Sequence, residues 1–504
     1  MRRGARSPKR MWNQLIQLSF RSKVGLQAQI REMLVAAILD GHIPVGVALP
    51  STRVLATQLG VARNTVALAY ELLVNEGYLL TKSRSGHFVN PEIVAGRAAP
   101  QPASGTRVPA AAAWGPRFRG AVSGQRNIEK PRDWQRFPYP FIYGQIDPAE
   151  LPMPGWRECS LQATSAAEVR GWAVDLIDGD DALLIEQIQT RLLVRRGVFV
   201  TADEILVTVG AQHALFLLAT LLVDAVTTVG IENPGYPDAR NIFAARTANV
   251  VPLPLDGAGL ALTPELDRCD YVYLTPSHQC PTNVTMPLAR REALLAWAQA
   301  GGHVLIEDDY EMELGLEGRA QPALQSLDRS GHVVYVGSLS KTLAPGIRIG
   351  FVAGNRDLIR ELRALRRLML RHPAANNERS AGLFLAMGYH DALLRRLRQG
   401  YAARSQRMAA ALSTHLPDAT FTTAAGASSY WVRFPAHVDT RTLAAEAAQR
   451  GVLIEPGDVF FDAATDEQVP RNYARLGFAS IDVSRIEPGI AALAAAYAVA
   501  YAPA

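Results

Sequence analysis

Cysteine is scarce in this 504-residue chain: Cys159, Cys269 and Cys280 are the only three. They cannot build a disulfide framework and match no metal-ligand spacing, so the sequence points to a reducing compartment, the cytoplasm, and to no metal site. No run of about 18 uncharged apolar residues is present, so no membrane partner is expected. The opening MRRGARSPKR carries charge without an apolar stretch or a small-residue cleavage site behind it, and a secretory signal is not expected. Internal repeats are also lacking, which excludes solenoid and propeller architectures.

What is present is the composition of a globular protein, 48% hydrophobic and 20% charged, long enough for about two to four domains. The charge is uneven. Residues 1–90 hold twelve Lys/Arg and four Asp/Glu, a formal +8, whereas the whole chain is +5. A small basic head on a near-neutral body suits a polyanionic partner.

The head has a readable order. LQAQIREMLVAAILDG (26–41) has helical apolar spacing with Gly41 as a stop, and a second helix follows LPST, capped by Ser51 or Thr52 and ending at Gly60. A third helix over 62–77 places Val66, Tyr70, Leu73 and Val74 on one face, and YLLTKSRSGHFVN (78–90) reads as two short strands around a polar turn. Three helices and a hairpin predict a winged helix-turn-helix binding double-stranded operator DNA. Arg53 and Thr65 suit phosphates and Arg63, beside Asn64 at the start of the third helix, suits a base edge. Arg84, Gly86 and His87 place the wing tip at the minor groove.

Residues 1–19 form a basic N-terminal segment and 20–90 the DNA-binding domain. Residues 91–137, rich in Ala, Pro and Gly, read as a flexible linker spanning roughly 35–40 Å as a coil. From 138 onward short apolar strands (204–210, 227–232, 271–276, 303–309, 332–338) alternate with helical segments. That pattern predicts an α/β domain with a doubly wound, mainly parallel sheet, and a smaller α/β subdomain from about 386 to 504.

In such sheets ligands bind beyond the carboxyl ends of the strands. There the sequence offers Ala211 and Gln212 opening a helix, Tyr236 after a tight turn, the run Asp308-Asp309-Tyr310, and Ser338 with Lys341 in VGSLSKTLAPGIRIGF. A lysine, a carboxylate, phenols and a helix N-terminus are the parts that pyridoxal 5′-phosphate requires.

The motifs LPSTRVLATQLGVARNTVALAYELLVNEGYL, TPSHQCPT, IEDDYEMEL, SLSKTLAPGIRIGF and ARLGFAS carry a family resemblance. Residues 20–90 resemble a GntR-type winged helix and 138–504 a fold type I aminotransferase; the fusion resembles the MocR subfamily of bacterial transcription regulators. The resemblance implies that Lys341 holds the cofactor as an internal aldimine and that Asp308 pairs with its ring nitrogen, Asp309 being the rival. It implies that Tyr310 approaches the phenolate oxygen, Tyr236 stacks on the ring, and Ala211, Gln212, Ser338 and Arg348 serve the phosphate. Arg475 matches the position that clamps a ligand carboxylate. A head-to-tail homodimer is implied, with an amino-acid or amine effector sensed by external aldimine formation. FPYPFIYGQID and RHPAANNERS resemble an ectoine-catabolism subgroup, whose effectors would be of the diaminobutyrate type; taurine, 4-aminobutyrate and other amino acids stay open.

Two departures bear on turnover. Cys280-Pro281-Thr282-Asn283 stands where aminotransferases have Asn-Pro-Thr-Gly, so the asparagine at the phenolate oxygen is missing and Cys280 reads as a small apolar filler. AVDLIDGDDALL (173–184) replaces the usual Gly-Tyr-Gly-Asp-Pro stretch. The expected function is therefore sensing, with a working aminotransferase that carries a DNA-binding domain as the alternative.

Overall fold

The computed structural model describes residues 18–19, 24–82, 85–94, 114–118, 120, 122–144, 146–311, 321–463 and 465–501. The chain divides into two compact units, residues 1–119 and 120–504.

In the first unit, α1 (Leu26–Leu39), α2 (Thr52–Leu59) and α3 (Arg63–Asn75) precede an antiparallel hairpin of β1 (Leu79–Lys82) and β2 (Gly86–Val89). Ser51 is the cap of α2: its hydroxyl accepts from Val54 N at 3.3 Å, and Gly60 closes the helix in the left-handed conformation. Ile30, Leu34, Leu55, Val66 and Leu73 are fully buried together. Tyr70 is buried beside them and its hydroxyl donates to the Pro50 carbonyl at 3.0 Å. The Asn90 side chain ties the end of β2 to the Gly77 carbonyl at 2.8 Å.

The second unit is built on an eight-stranded sheet: β3 (Ile205–Thr208), β4 (Val229–Asn233), β5 (Val250–Asp256), β6 (Gly259–Leu260), β7 (Tyr271–Leu274), β8 (Val304–Asp309), β9 (Val333–Ser338) and β10 (Gly350–Ala353). Their order is β3-β10-β9-β8-β7-β4-β5-β6. Strands β9, β8, β7, β4 and β5 are parallel, while β10 is antiparallel to both its neighbours and β6 folds back on β5. Every residue of β9 is buried, as a sheet covered on both faces requires. Helices α4 (Ala211–Leu222) and α5 (Pro237–Ala244) follow β3 and β4, so their N-termini stand at the carboxyl edge of the sheet.

A second, antiparallel sheet of β11 (Thr420–Thr422), β12 (Ser429–Arg433), β13 (Glu455–Pro456) and β14 (Tyr473–Gly477) has the order β11-β12-β14-β13. The final helix α6 (Val483–Ala500) is long and apolar enough, by length and composition, to cross a membrane. Here it carries Pro488 and packs Ile486, Ile490, Leu493 and Ala496 into the core of the unit.

Part of the segment expected to be a free linker is fixed. Residues 122–137 fall in the second unit, where the Asn241 side chain donates to the Arg126 carbonyl at 2.9 Å and Arg126 to the Asp458 carbonyl at 2.7 Å. Tyr139–Pro140 then pairs in parallel with Val452–Leu453. Composition hid this because the anchors lie more than a hundred residues away. The 173–184 stretch is structural: Asp180 pairs with Arg363 and Arg366, and Asp181 caps the helix that follows it.

Candidate functional site

A cavity of about 120 Å³ lies at the carboxyl edge of the sheet, and Lys341, Asp308, Tyr310, Tyr236, Ala211, Gln212, Ser338 and Arg348 all line it. The fold explains the convergence. Asp308 is in the last pleat of β8, Ser338 ends β9, Ala211 opens α4, and Tyr236 caps α5. Tyr143, Tyr273, Cys280, Ser340 and Pro345 complete the lining.

Asp308 is buried. Its Oδ2 accepts from the Tyr273 hydroxyl at 2.8 Å and its Oδ1 has no partner among the described residues. Burial raises its carboxyl to about 7, against the pull of Tyr273. Asp309, one residue on, points elsewhere: its Oδ2 takes Arg196 Nε at 2.7 Å and the Tyr335 hydroxyl at 2.9 Å. Neighbouring strand residues face opposite ways, and only Asp308 of the two lines the cavity.

Lys341 follows β9 in a turn and is half-buried. Burial, then the charge of Lys130, lowers its amine from the ordinary 10.5 to about 8. Its Nζ stands 4.1 Å from the centre of the Tyr143 ring. Gly144 has φ +77°, and a Cβ there would lie 2.8 Å from Lys341 Nζ, so only glycine leaves the amine its place. At the other end Gly210, φ +79°, precedes α4; a Cβ there would meet the Arg348 guanidinium at 2.8 Å. Arg348 donates to the Val209 carbonyl at 3.1 Å, and the backbone N–H of Ser340 donates to Ser338 Oγ at 3.2 Å. The Ser340 hydroxyl is buried without a partner among the described residues.

The phenols are engaged. Tyr310 donates to the His278 carbonyl at 2.8 Å and Tyr236 to Asp238 at 2.9 Å. Asp238 also accepts from the side chains of Gln212 and Asn127. Cys280 is a buried thiol, pushed up to about 12 by burial, in an apolar cluster with Trp431, Val459 and Phe460.

Arg475 is outside the lining but adjoins it. Its guanidinium stands 4.1 Å from the Tyr143 ring centre and 3.7 Å from Cys280 Sγ, and its Nε donates to Glu455 at 2.8 Å. Sequence reasoning missed Tyr143 and Tyr273, while Ser340 falls just after the strand end beside Ser338, where ligand groups are expected. Tyr273 was findable, since YVYLTP puts an aromatic residue just before a strand end; Tyr143 was not, since the groups that place it, Val452–Leu453 and Glu455, lie about three hundred residues on.

On the first unit, Arg53, Arg63 and Asn64 are exposed and Thr65 is half-buried, with Arg63 Nε 3.4 Å from Thr52 Oγ1. Gly86, φ +100°, is exposed at the start of β2; Arg84 lies outside the described residues. His87 differs from its expected position at the wing tip. Its ring packs edge-on against Tyr70, 5.1 Å between centres, and its Nδ1 is 3.2 Å from the Thr81 hydroxyl. An aromatic partner under the hairpin holds it inward. Lys82, 4.8 Å over Phe88, is an exposed cation of the wing that the sequence reading passed over.

Comparison with known proteins fits both units. Residues 26–89 match the family described as bacterial regulatory proteins, gntR family, and residues 179–493 match aminotransferase class I and II. The HTH-type transcriptional regulator TauR of Rhodobacter capsulatus is 42% identical over 472 residues, covering 94% of this chain and 96% of that protein. The probable rhizopine catabolism regulatory protein MocR of Rhizobium meliloti is 31% identical, covering 94% of each. Among solved structures, the α-aminoadipate aminotransferase LysN of Thermus thermophilus, complexed with N-(5′-phosphopyridoxyl)-L-leucine, superposes with a TM-score of 0.67 at 26% identity, covering 77% of this chain and 99% of that one. A winged helix-turn-helix at one end, an aminotransferase fold at the other and full-length regulators as relatives lead to one assignment: the chain belongs to the MocR subfamily of GntR-type transcriptional regulators, DNA-binding proteins with an aminotransferase-like domain.

Proposed function

We propose that this cytoplasmic regulator binds pyridoxal 5′-phosphate at Lys341 and uses it to sense an amine-bearing acid. The observation that carries the reading is the meeting of Lys341, Asp308 and the α4 N-terminus in one cavity. The residues present fit the cofactor. Among the described residues Asp308 keeps a buried, unpartnered oxygen where a cationic ring nitrogen would satisfy it, and the Ser340 hydroxyl and the first-turn amides at the uncapped α4 N-terminus lack an acceptor that a phosphate would supply. Arg348 and Ser338 flank the same end of the cavity.

When bound, the cofactor supplies an aldehyde carbon open to attack by a primary amine. Lys341, partly neutral near physiological pH, holds it and yields to the amine of an effector. Tyr236 offers its ring face, Tyr310 its hydroxyl, and Arg475 a fork suited to the effector's acid. Cys280, an un-ionised thiol of weak donor strength, supplies no amide at the phenolate oxygen, which favours retention of the effector over turnover. In a head-to-tail homodimer two heads read two half-sites, and the 95–121 stretch joins each head to the sensing body. A coupling of about 1–3 kcal/mol changes operator affinity by roughly 5–150-fold.

The test is a spectrum. Purified protein given pyridoxal 5′-phosphate is expected to show a visible absorption band that Lys341→Ala abolishes. Titration with 2,4-diaminobutyrate, 4-aminobutyrate and taurine is expected to shift that band without sustained keto-acid production. Absence of a Lys341-dependent band refutes the cofactor reading, and many turnovers would make the protein an aminotransferase.

A further inference from the structure

One carboxylate already lies against the arginine fork. Glu455 and Arg475 are cross-strand partners on β13 and β14, each side chain 2% exposed, and Arg475 Nε donates to Glu455 Oε2 at 2.8 Å. Glu455 Oε1 accepts from Tyr143 N at 3.1 Å and lies 3.3 Å from Lys130 Nζ. Lys130 also donates to the Tyr143 carbonyl, and a Cβ on Gly144 would lie 3.7 Å from its amine, so Lys130 and Lys341 crowd the same glycine. Among the described residues Arg475 Nη2 is buried without a partner, and Nη1 has only Cys280 Sγ at 3.7 Å.

A buried charge is tolerated when it is paired, so the count of charges decides what this corner accepts. Burial pushes the Glu455 carboxyl up, but Arg475 and Lys130 together outweigh it and hold the group below its ordinary value, ionised. Arg475 and Lys130, whose amine burial lowers and Glu455 supports, then face one anion, while the neighbouring Lys341 and Glu311 add one charge of each sign and leave the group one positive charge in excess. A single further negative charge balances the group and gives Arg475 Nη2 its missing acceptor. A second acid would be buried near Glu455 with no cation left to meet it.

We infer that Glu455 and Lys130 determine specificity, restricting the effector to amines with one acidic group, carboxylate or sulfonate, and turning away diacids. This inference rests on the cofactor reading above. Glu455 is the resident second acid, and Lys130, brought by the 122–144 segment, is the second cation. Neither belongs to the expected cofactor set, and their pairing spans more than three hundred residues.

The experiment uses the full-length protein loaded with pyridoxal 5′-phosphate and follows its absorption on titration with alanine, β-alanine, 4-aminobutyrate and 2-aminoethanesulfonate, against aspartate and glutamate. In the unmodified protein at least one monoacid is expected to half-saturate at a concentration about tenfold or more below either diacid, since an uncompensated like charge costs several kcal/mol. Glu455→Gln is expected to shift the diacid-to-monoacid ratio about tenfold or more toward diacids, and Lys130→Met to weaken the monoacids about tenfold while Lys130→Arg retains them. A purely structural role would weaken all six ligands alike and leave the ratio unchanged. An unchanged ratio in Glu455→Gln, equal binding of diacids by the unmodified protein, or no monoacid response in a protein that shows the Lys341-dependent band overturns the inference. Where Glu455→Gln does not load cofactor, the Lys130→Met and Lys130→Arg pair decides. Absence of the band itself overturns the cofactor reading instead.

Discussion

Lys341 offers a quantitative test of the cavity's electrostatics. Its amine is held at about 8 in place of 10.5, burial being the main cause, the charge of Lys130 the next and that of Arg475 adding to it, while Glu311 opposes. Only the neutral amine attacks an aldehyde. At pH 7 an ordinary lysine is neutral in about one molecule in three thousand and this one in about one in ten, a gain of roughly 300-fold. Protein stripped of cofactor is therefore expected to reload at a rate that climbs through pH 8 and levels off above it. Lys130→Met removes a positive charge no farther than about 6.5 Å, since the two amines stand 2.8 and 3.7 Å from one Cβ position on Gly144, worth about 0.6–2.6 kcal/mol for effective dielectric constants of 80 to 20. Its loss moves the inflection upward by about 0.5–2 pH units. The assay is stopped-flow absorbance after mixing with pyridoxal 5′-phosphate between pH 6 and pH 10. A rate that keeps rising to pH 10, or a Lys130→Met profile superimposable on that of the unmodified protein, would refute the reasoning.

Four further outcomes are expected. Cys159, Cys269 and Cys280 are buried, their thiols pushed up to about 11, 11 and 12, so none is expected to react with a thiol reagent at pH 8 until the protein is denatured. Burial raises Glu232 to about 7 and Glu378 to about 8. The folded chain then holds protons that the unfolded chain has lost above about pH 4.5, so stability falls as pH rises from about 5 to 8. Glu378→Gln keeps an oxygen for Asp181 N and is expected to flatten that slope in thermal melts of the stripped protein. On the head, Arg53→Ala is expected to weaken operator binding across sequences and to reduce the salt dependence by about one counterion in titrations from 50 to 200 mM salt. His87→Ala is expected to lower the stability of the head through lost packing on Tyr70, with little change in that salt slope.

The parts of the molecule set by local rules were the readable ones. Ser51 and Gly60 bound α2 by chemistry that four residues carry, and the strand ends at Asp308 and Ser338 follow from apolar runs. Alternation along β8 tells that Asp308 and Asp309 face opposite sides, yet which side holds the cavity is decided by Arg196, more than a hundred residues earlier. The antiparallel β10 went unseparated from the lysine loop, because a four-residue strand of GFVA has no alternation of its own. Lys130, Tyr143 and Glu455 carry no local signal at all; their meaning arises only where β13, β14 and the 122–144 segment meet.

Asp238 gathers three donors that the sequence keeps far apart: Asn127 from the entering segment, Gln212 from α4 and Tyr236 from the turn before α5. It forms a hub behind the lining residues Gln212 and Tyr236, whereas Lys130 grips Glu455 beside Arg475. One stretch of chain is thus moored twice, once through Asn127 to the Asp238 hub and once through Lys130 to Glu455 beside Arg475. On the proposed reading, substitutions at the second mooring would exchange one effector for another while the first keeps its hold, a route to new effectors without rebuilding the pocket.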